Sequence, residues 1–420
     1  MLSAAVAVFL LTLVSALHAT KPAVAHVCSV RDFGARGDNE TDDSAAINAA
    51  IHQLNCSSVV LPAPGLYLSK RIYLSGMSYR SLIIEEGARL IQWRDPATYG
   101  KLTFGGFIGP ASSDTLTRFE LAGGGIIDGS GPSWWHLGGD SRPMGLWLPN
   151  ANGAHIHDLT IVDSSYWNMG LRGANILVER MNISSNLGSC SGYGGAPNTD
   201  GFNLGGQNIT VRDSWVHNGD DCVPVTTPGP RSFGVDLTSH DILVHNVSCR
   251  CGTNGGVVYN SDGGKIFDVT FSNMTVTGTN QGGGAKIGRS TNNASGGVIR
   301  NISWVNYKVV KPRNAGFYAD VYGEDVAACR KPETPAMPGM NGDDWLAIDE
   351  LHFTNVTGTM VKPGQPAGCF LLTSGKPAIG YTFENVKLTG AAPYTCFNMH
   401  PASGFENIPP APAHCNTRSL

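Results

Sequence analysis

The chain has 420 residues, including 53 glycines, 24 prolines and 10 cysteines, and its formal net charge at pH 7 is −4. A surface that binds nucleic acid is normally strongly basic, so this charge argues against nucleic acid as a partner. It does not exclude an anionic polymer, because a few local Lys and Arg residues can bind one.

Residues 1–25 contain an apolar run that is short for a membrane span and is followed by small residues suited to cleavage. This pattern predicts a secretory signal peptide, and no later apolar run is long enough to cross a bilayer. An even number of cysteines behind such a segment favours disulfides over metal sites, and nine Asn-x-Ser/Thr sequons agree with export. We therefore expect a secreted, extracellular monomer that does not associate with membranes.

The first predicted element is a helix over residues 44–54, where apolar residues recur at helical spacing along one face. Asp43 stands just before it and is predicted to cap its N-terminus. After this segment the helical period disappears, and short β-branched runs follow that are separated by Gly, Asn, Asp and Pro. The helix is therefore predicted to cover one open end of a β-structure, and the tail after about residue 391 to close the other.

The middle of the chain repeats one pattern, in which alternating apolar residues flank a polar turn residue. Ile176, Ile209 and Ile242 recur at intervals of 33 residues within this pattern. Repeats of this length indicate a stacked architecture, and their irregular spacing with few hairpin signals favours a parallel β-helix over a propeller. No linker divides residues 26–420, so we predict one domain.

Two acidic segments lie on successive turns of the repeat: NTDGFN (198–203) and NGDDC (218–222). Neighbouring parallel strands are about 4.8 Å apart, so stacking can bring Asp200 beside Asp220 and Asp221. Mutual repulsion raises the pKa of at least one carboxyl, which then acts as an acid while the others activate water, as glycosidic cleavage requires. Adjacent residues of a flat strand face opposite sides, so either the backbone bends at the preceding glycine or only one of the pair is catalytic.

These segments also carry a family resemblance. Together with four further blocks they make the chain similar to the polygalacturonase-type glycoside hydrolases of family 28; the blocks are DFGARGDNETDDSAAINAAI (32–51), GGGIIDGSGPSWW (123–135), RPMGLWL (142–148) and SSYWNMGL (164–171). The resemblance covers most of the chain after the predicted signal peptide. It implies an all-β, single-domain, right-handed parallel β-helix of the pectin-lyase-like solenoid type. It also implies a galacturonan-type pectic substrate, hydrolysis with inversion, and no metal or other cofactor.

The resemblance assigns roles to the aspartates. It implies that Asp220 is the general acid, and that Asp200 and Asp221 hold and deprotonate the attacking water. It further implies that Cys222 is a half-cystine whose partner is Cys249 or Cys251.

The substrate-binding motifs of the family are altered. Where its polygalacturonases usually carry Gly-His-Gly, this chain has CGTNGG (251–256), and AKIGRS (285–290) replaces Arg-Ile-Lys. Lys286 is predicted to stand at the Arg position and Arg289 to substitute for the Lys, although lysine lacks the bidentate fork of arginine. Asn198 and Tyr259 complete the predicted substrate-binding set.

Other interpretations stay open from the sequence. The substrate can be xylogalacturonan or rhamnogalacturonan, although the Asp-Glu pair of the rhamnogalacturonan hydrolases is missing. A pectate lyase on a similar β-helix would need calcium bound by carboxylates and an Arg base, and a non-catalytic β-helix would only bind cell-wall polymer. Three histidines within the strand repeats, His155, His157 and His245, are predicted to be structural or surface residues.

Overall fold

A computed structural model describes residues 26–397, except for 101–104, 112–113, 186–187, 189, 191–194, 230–236, 261–262, 288–296, 321–345, 372–378 and 393–394. The predicted signal peptide, Arg289 and most of the predicted closing tail lie outside the described residues. None of the helices within the described part is both long and apolar enough to cross a membrane.

Strands dominate the described structure. The N-terminal coils contain β1 (Val27–Ser29), β2 (Asp38–Asp42), β3 (Ser58–Leu61), β4 (Gly65–Ser69), β5 (Ile72–Tyr73), β6 (Ser81–Ile84), β7 (Ala88–Gln92), β8 (Gly106–Gly109), β9 (Leu116–Thr117), β10 (Glu120–Ala122) and β11 (Ile126–Asp128). The central coils contain β12 (Met144–Asn152), β13 (His155–Val162), β14 (Met169–Ser184), β15 (Phe202–Asn218), β16 (Val223–Thr226), β17 (Thr238–Cys251), β18 (Asn254–Asn260), β19 (Lys265–Ser272), β20 (Thr275–Thr277) and β21 (Gln281–Ile287). The last coils contain β22 (Gly297–Val310), β23 (Ala315–Asp320), β24 (Leu346–Thr359), β25 (Gln365–Pro366), β26 (Gly368–Leu371), β27 (Thr382–Glu384), β28 (Lys387–Thr389), β29 (Ala391–Ala392) and β30 (Thr395–Phe397).

Successive coils pair in parallel and in register. Ile176 pairs with Ile209, and Ile209 pairs with Ile242, so the interval of 33 residues seen in the sequence is one full turn of the stack. All three side chains are buried, as are the inward-facing residues of the coils around them. Apolar burial contributes roughly 25 cal/mol per Å², so this continuous column is the main source of stability. The predicted all-β parallel β-helix is confirmed.

Aromatic residues extend the same column through the last coils. The rings of Trp304 and Phe353 stack with centroids 4.9 Å apart, and those of Phe353 and Phe383 stack at the same distance. The three come from β22, β24 and β27, which pair in that order. Stacking of identical positions in neighbouring coils therefore fixes the register where the repeats are least regular.

The bends between strands carry asparagine ladders. Asn175 donates its side-chain amide to Asn152 Oδ1 at 2.8 Å, and Asn208 donates to Asn175 Oδ1 at 2.7 Å. Asn175 and Asn208 have φ values of 56° and 52°, in the left-handed region that asparagine tolerates better than most residues. A second ladder stacks asparagines of later coils, namely Asn273, Asn306, Asn355 and Asn385. Each bend is thus held by its equivalent in the coil before it.

The N-terminal helix α1 (Ser44–His52) is present and ends two residues before the predicted position. Its residues Ile47, Ala50 and Ile51 have no solvent exposure and cover the apolar residues of the first coil. A second, short helix, α2 (Pro96–Tyr99), follows β7, and three 3₁₀ turns span Val30–Phe33, Gly131–Ser133 and Gly139–Ser141.

The predicted cap by Asp43 was wrong. Its carboxylate makes no hydrogen bond to the helix and instead accepts from the amides of Arg36 at 2.7 Å and Gly37 at 3.0 Å. The buried carboxylate therefore stabilises the turn that precedes the helix rather than the helix itself.

The C-terminal end of α1 is held by Arg80, which is 8% exposed. Its guanidinium donates to the carbonyls of Cys56 at 2.5 Å, Ile51 at 2.6 Å and Gln53 at 3.1 Å. A cation that satisfies the last carbonyls of a helix also interacts favourably with the helix dipole. The end cover of the β-helix therefore depends on one arginine from the second coil.

Replacing Arg80 by Met should lower the free energy of unfolding by about 2–3 kcal/mol, because buried carbonyls lose a charged donor. The matched control is Arg300→Met, since the Arg300 side chain is 60% exposed and pairs with Glu350 at 3.5 Å. The control should change stability by no more than about 0.5 kcal/mol. Urea unfolding measures both, and equal losses in the two variants would contradict the role of Arg80.

Candidate active site

Asp220 and Asp221 lie in a bend at residues 219–222, between β15 and β16. The bend allows both carboxylates to reach one hydroxyl on the next coil. Thr253 Oγ1 lies 2.7 Å from Asp220 Oδ1 and also hydrogen-bonds Asp221 Oδ1. The two side chains therefore converge, which a flat strand would have prevented.

The close approach of this next coil requires a glycine. Gly252 has φ +73°, and a Cβ there would lie 2.1 Å from the Asp220 carbonyl oxygen. The amide of Thr253 donates to the same carbonyl at 3.0 Å. The backbone of one coil thus fixes the hydroxyl directly against the acidic bend of the other.

Asp200 lies two residues before β15, on the coil that precedes the bend. The Gly201 amide donates to the Asp221 carbonyl at 2.9 Å and joins the two acidic segments. Asp200 Oδ2 accepts a hydrogen bond of 2.8 Å from Asn203 Nδ2. Asn203 Oδ1 in turn accepts from the buried Arg172 at 2.7 Å. Arg172 therefore orients Asn203, and Asn203 orients Asp200.

Burial and repulsion shift the titration of this cluster. Burial, with the charge of Asp221 added, raises the pKa of Asp220 to about 7, although the Thr253 hydroxyl and the Lys286 ammonium oppose the shift. Burial and the charges of its two neighbours raise the pKa of Asp200 well above its ordinary value. Like charges in a low-dielectric site cannot all ionise, so the cluster retains a proton near neutral pH.

The hydroxyl that contacts both carboxyls of the bend agrees with a retained proton. A threonine hydroxyl has one proton to donate, so it cannot donate to two carboxylates at once. Thr253 Oγ1 lies within hydrogen-bond distance of both Asp220 Oδ1 and Asp221 Oδ1. One of the two contacts is therefore best satisfied when a carboxyl of this pair is protonated and donates to Thr253.

Two of the predicted substrate-binding residues lie beside the cluster. Lys286 Nζ is 3.8 Å from Asp221 Oδ2 and 4.5 Å from the ring centroid of Tyr259, with which it pairs across β18 and β21. Burial alone would lower the pKa of Lys286, but the negative charge of Asp221 outweighs it and raises the pKa, so the ammonium stays charged.

Asn198 also lies at the cluster. Its Nδ2 is 3.5 Å from Asp220 Oδ2, and its Oδ1 accepts a hydrogen bond of 2.8 Å from Arg142. Arg142 is buried and also donates to the Pro197 carbonyl at 2.7 Å, which fixes the loop that carries Asn198. The remaining predicted residue, Arg289, lies outside the described part of the chain.

Sequence reasoning missed Thr253, Asn254, Arg142 and Arg172. Asn254 donates to Asp221 Oδ1 at 2.6 Å, and the four reach partners that lie 31 to 56 residues away along the chain. No local pattern marks such contacts. The one usable signal was the change from Gly-His-Gly to CGTNGG, which contains both Thr253 and Asn254.

Disulfides brace the bend and its neighbours. Cys222, the residue that follows Asp221, is joined to Cys249 with an S–S distance of 2.04 Å. The sequence left Cys249 and Cys251 as alternatives, and Cys251 is joined to Cys190 instead. A third bridge links Cys28 to Cys56 near the N-terminal helix.

The three aspartates do not form a compact set of metal ligands. Among the described residues, the sets whose ligand atoms lie within 4.8 Å of one another are Glu120 with His155 and His157, and Cys190 with His217 and Cys251. The positive charge next to the aspartates is supplied by an ammonium of the chain itself, Lys286. The arrangement suits acid and base groups that flank a substrate.

Comparison with known proteins identifies relatives along most of the chain. Residues 106–408 match the family described as "Glycosyl hydrolases family 28", and residues 27–79 match "Rhamnogalacturonase A/epimerase, pectate lyase-like". A probable endopolygalacturonase D of Neosartorya fischeri is 27% identical over 84% of this chain and 70% of its own length. A polygalacturonase of Persea americana is 26% identical over 86% of this chain and 74% of its own.

Solved structures agree in fold. The endo-xylogalacturonan hydrolase of Aspergillus tubingensis superposes with a TM-score of 0.70 at 19% identity, over 90% of this chain and 97% of that one. An exopolygalacturonase of Thermotoga maritima gives a TM-score of 0.70 at 17% identity, over 88% of each chain. Because the family match alone covers more than half of the chain, the protein belongs to glycosyl hydrolases family 28 and is a glycoside hydrolase built on a parallel β-helix.

Proposed function

We propose that this hydrolase cleaves galacturonan-type pectic polysaccharide, as a polygalacturonase does, with inversion and without a catalytic metal. The observation that carries the proposal is the convergence of Asp200, Asp220 and Asp221 from consecutive coils, with the Lys286 ammonium beside them. The names of the fungal and plant relatives, which are polygalacturonases, support the choice of substrate.

Asp220 acts as the general acid. Its raised pKa keeps it protonated near neutral pH, so it can deliver a proton to the leaving glycosidic oxygen. Asp200 and Asp221 hold the water molecule that attacks the opposite face of the sugar, and Asp221 takes its proton.

Thr253 restores the starting protonation state. After cleavage, Asp221 holds the proton taken from water and Asp220 has lost its own. The Thr253 hydroxyl contacts both carboxylates, so it can accept the proton of Asp221 and pass its own to Asp220. The cycle then closes without a change in the number of protons.

Lys286 and Tyr259 form the binding surface for a substrate carboxylate. The buried ammonium is a point charge rather than a planar fork, so it attracts a galacturonate carboxylate without imposing bidentate geometry. Asn198 contributes an amide on the other side of Asp220. Arg289 is proposed as a further carboxylate ligand on the strength of the sequence alone.

We propose a secreted, extracellular monomer, with residues 1–25 as the signal peptide and 26–420 as the catalytic domain. The disulfides support export, because such bonds are rare in a reducing cytosol. The small net charge supports a polymer partner other than nucleic acid.

A product screen tests the proposed activity. The enzyme should release galacturonate oligomers from polygalacturonan faster than it degrades xylogalacturonan or rhamnogalacturonan, and NMR should show the inverted anomer first. A retained anomer would contradict inversion, faster cleavage of another polymer would reassign the substrate, and an unsaturated product that absorbs in the ultraviolet would indicate a lyase.

Replacing Asp220 by Asn should lower kcat by about 10²–10⁴-fold, because the leaving oxygen loses its proton donor. Asp213→Asn is the matched control, since Asp213 is a 41% exposed ladder residue with φ 50° that accepts from Asn246. Initial rates on polygalacturonan measure both variants. Retention of activity by the Asp220 variant would exclude this residue as the acid.

The kcat/KM of the wild-type enzyme should fall as the pH rises through about 7, because free Asp220 must hold its proton. Lys286 opposes the rise in the Asp220 pKa, so Lys286→Met should move this fall to higher pH and raise KM for polygalacturonan. Lys308→Met, at an exposed position on β22, should leave the profile unchanged. A profile of Lys286→Met that is unshifted, or shifted to lower pH, would refute the coupling.

Thr253→Val should lower kcat by roughly 10–100-fold with little change in KM, because the hydroxyl contacts the carboxylates rather than the sugar. Thr253→Ser keeps the hydroxyl and should retain most of the activity. Steady-state kinetics, with urea unfolding to verify folding, distinguish the two. If Ser and Val lose the same activity, the hydroxyl has no role in proton transfer.

A further inference from the structure

A second cluster of titratable side chains lies on the outer face of the sheet, apart from the aspartates. Glu120 on β10 pairs in register with His155 on β13, and His157, two residues further along β13, pairs with Glu179 on β14. Residues two apart on a strand face the same side, so both histidines and both glutamates share one patch. The catalytic mechanism uses none of them.

Three of these side chains converge. Ligand atoms of Glu120, His155 and His157 lie within 4.8 Å of one another, and the two imidazole centroids are 4.0 Å apart. Glu120 Oε1 and His157 Nε2 are separated by 3.2 Å. Two ligands of a tetrahedral zinc ion stand about 3.3 Å apart, so Glu120 and His157 already have the required separation.

Each of the three side chains also makes a polar contact with a residue outside the set. Asp158 Oδ2 lies 2.6 Å from His157 Nδ1, Glu179 Oε1 lies 3.1 Å from His155 Nε2, and Ser81 donates to Glu120 Oε2. Beside these contacts, His157 Nε2 and Glu120 Oε1 face each other, and one ligand atom of each of the three residues lies within 4.8 Å of the other two. Metal-binding histidines typically have their second nitrogen held by a carboxylate in this way.

The carboxylates that contact the two histidines are themselves held by arginines. Arg180 donates to Asp158 at 2.7 and 2.8 Å and forms an ion pair with Glu179 at 2.7 Å. Arg212 donates to the other oxygen of Glu179 at 2.7 Å. With Glu120 included, and with Asp213 3.8 Å from Arg212, four carboxylates face two guanidinium groups, so negative charge is in excess. Added positive charge at the histidines is therefore favourable.

The patch is open to solvent. The side chains of His155, His157 and Glu120 are 37%, 17% and 40% exposed, so an ion can reach them without opening the fold. Two imidazoles and one carboxylate form a donor set that suits Zn²⁺, with water as the fourth ligand.

We infer that Glu120, His155 and His157 form a binding site for a divalent transition-metal ion, best suited to Zn²⁺, that joins β10 to β13 on the surface of the β-helix. The site is structural: it cross-links neighbouring coils and takes no part in glycoside hydrolysis. The competing arrangement is a metal-free one, in which a protonated His157 donates to both Glu120 and Asp158.

Zinc titration of the untagged, chelator-treated full-length secreted protein distinguishes the two. Isothermal titration calorimetry should show one saturable Zn²⁺ site, and Co²⁺ should give the visible absorption bands of a tetrahedral complex. His157→Gln and Glu120→Gln should each weaken the binding at least tenfold. Asp158→Asn should weaken the binding by about 10–100-fold, because the His157 ring loses the carboxylate that orients it. Asparagine tolerates the left-handed backbone at this position, where φ is 53°.

His240→Gln is the matched control. His240 makes the same contact with a following aspartate, Asp241, at 2.7 Å, but its ring stacks on Phe267 rather than on a second histidine. This variant should bind Zn²⁺ as the wild type does, and polygalacturonan hydrolysis should be unchanged in all variants. Absence of saturable binding in the wild type, or wild-type affinity in His157→Gln, would overturn the inference and leave the metal-free ion-pair network.

Discussion

The parallel stacking of coils in register is the constraint on which the rest of this molecule depends. It places each buried apolar side chain on its equivalent in the coil before, as Ile176, Ile209 and Ile242 show. The same register brings polar residues of consecutive coils together at the bends, where they form either an asparagine ladder or the carboxylate cluster. Burying acidic groups is unfavourable, and a continuous apolar column provides the stability that offsets it.

The catalytic proposal depends on how burial and neighbouring charges shift the pKa of each carboxyl in the cluster. Burial and repulsion raise the pKa of Asp200 and Asp220, whereas Lys286 and the Thr253 hydroxyl oppose the shift at Asp220. The cluster therefore holds a proton at the pH where a general acid needs one, while a fixed ammonium remains for an anionic substrate. Lys286, Thr253 and Asn254 all contact Asp221 in this member of glycosyl hydrolases family 28.

Features with a regular period could be predicted from the sequence. The interval of 33 residues predicted the coil register, and two acidic segments on successive repeats predicted the convergence of the aspartates. Asp43 was misjudged because capping preference is local, whereas its carboxylate turns back to the amides of Arg36 and Gly37. Arg142 and Arg172 could not be predicted, because their partners lie on other coils and no spacing rule links an arginine to an asparagine 31 or 56 residues away.

The central claim is that Asp220 is a carboxylic acid, not a carboxylate, near neutral pH. The most direct measurement is a pH titration of ¹³C-carboxyl-labelled aspartates by NMR, with the Asp220→Asn variant used to assign the signal. The account predicts one carboxyl that titrates near 7 in the wild type and is missing from the variant. If the signal lost from the Asp220→Asn variant instead titrated below about 5, in the ordinary range for this side chain, Asp220 would be ionised near neutral pH and the acid–base account would be contradicted.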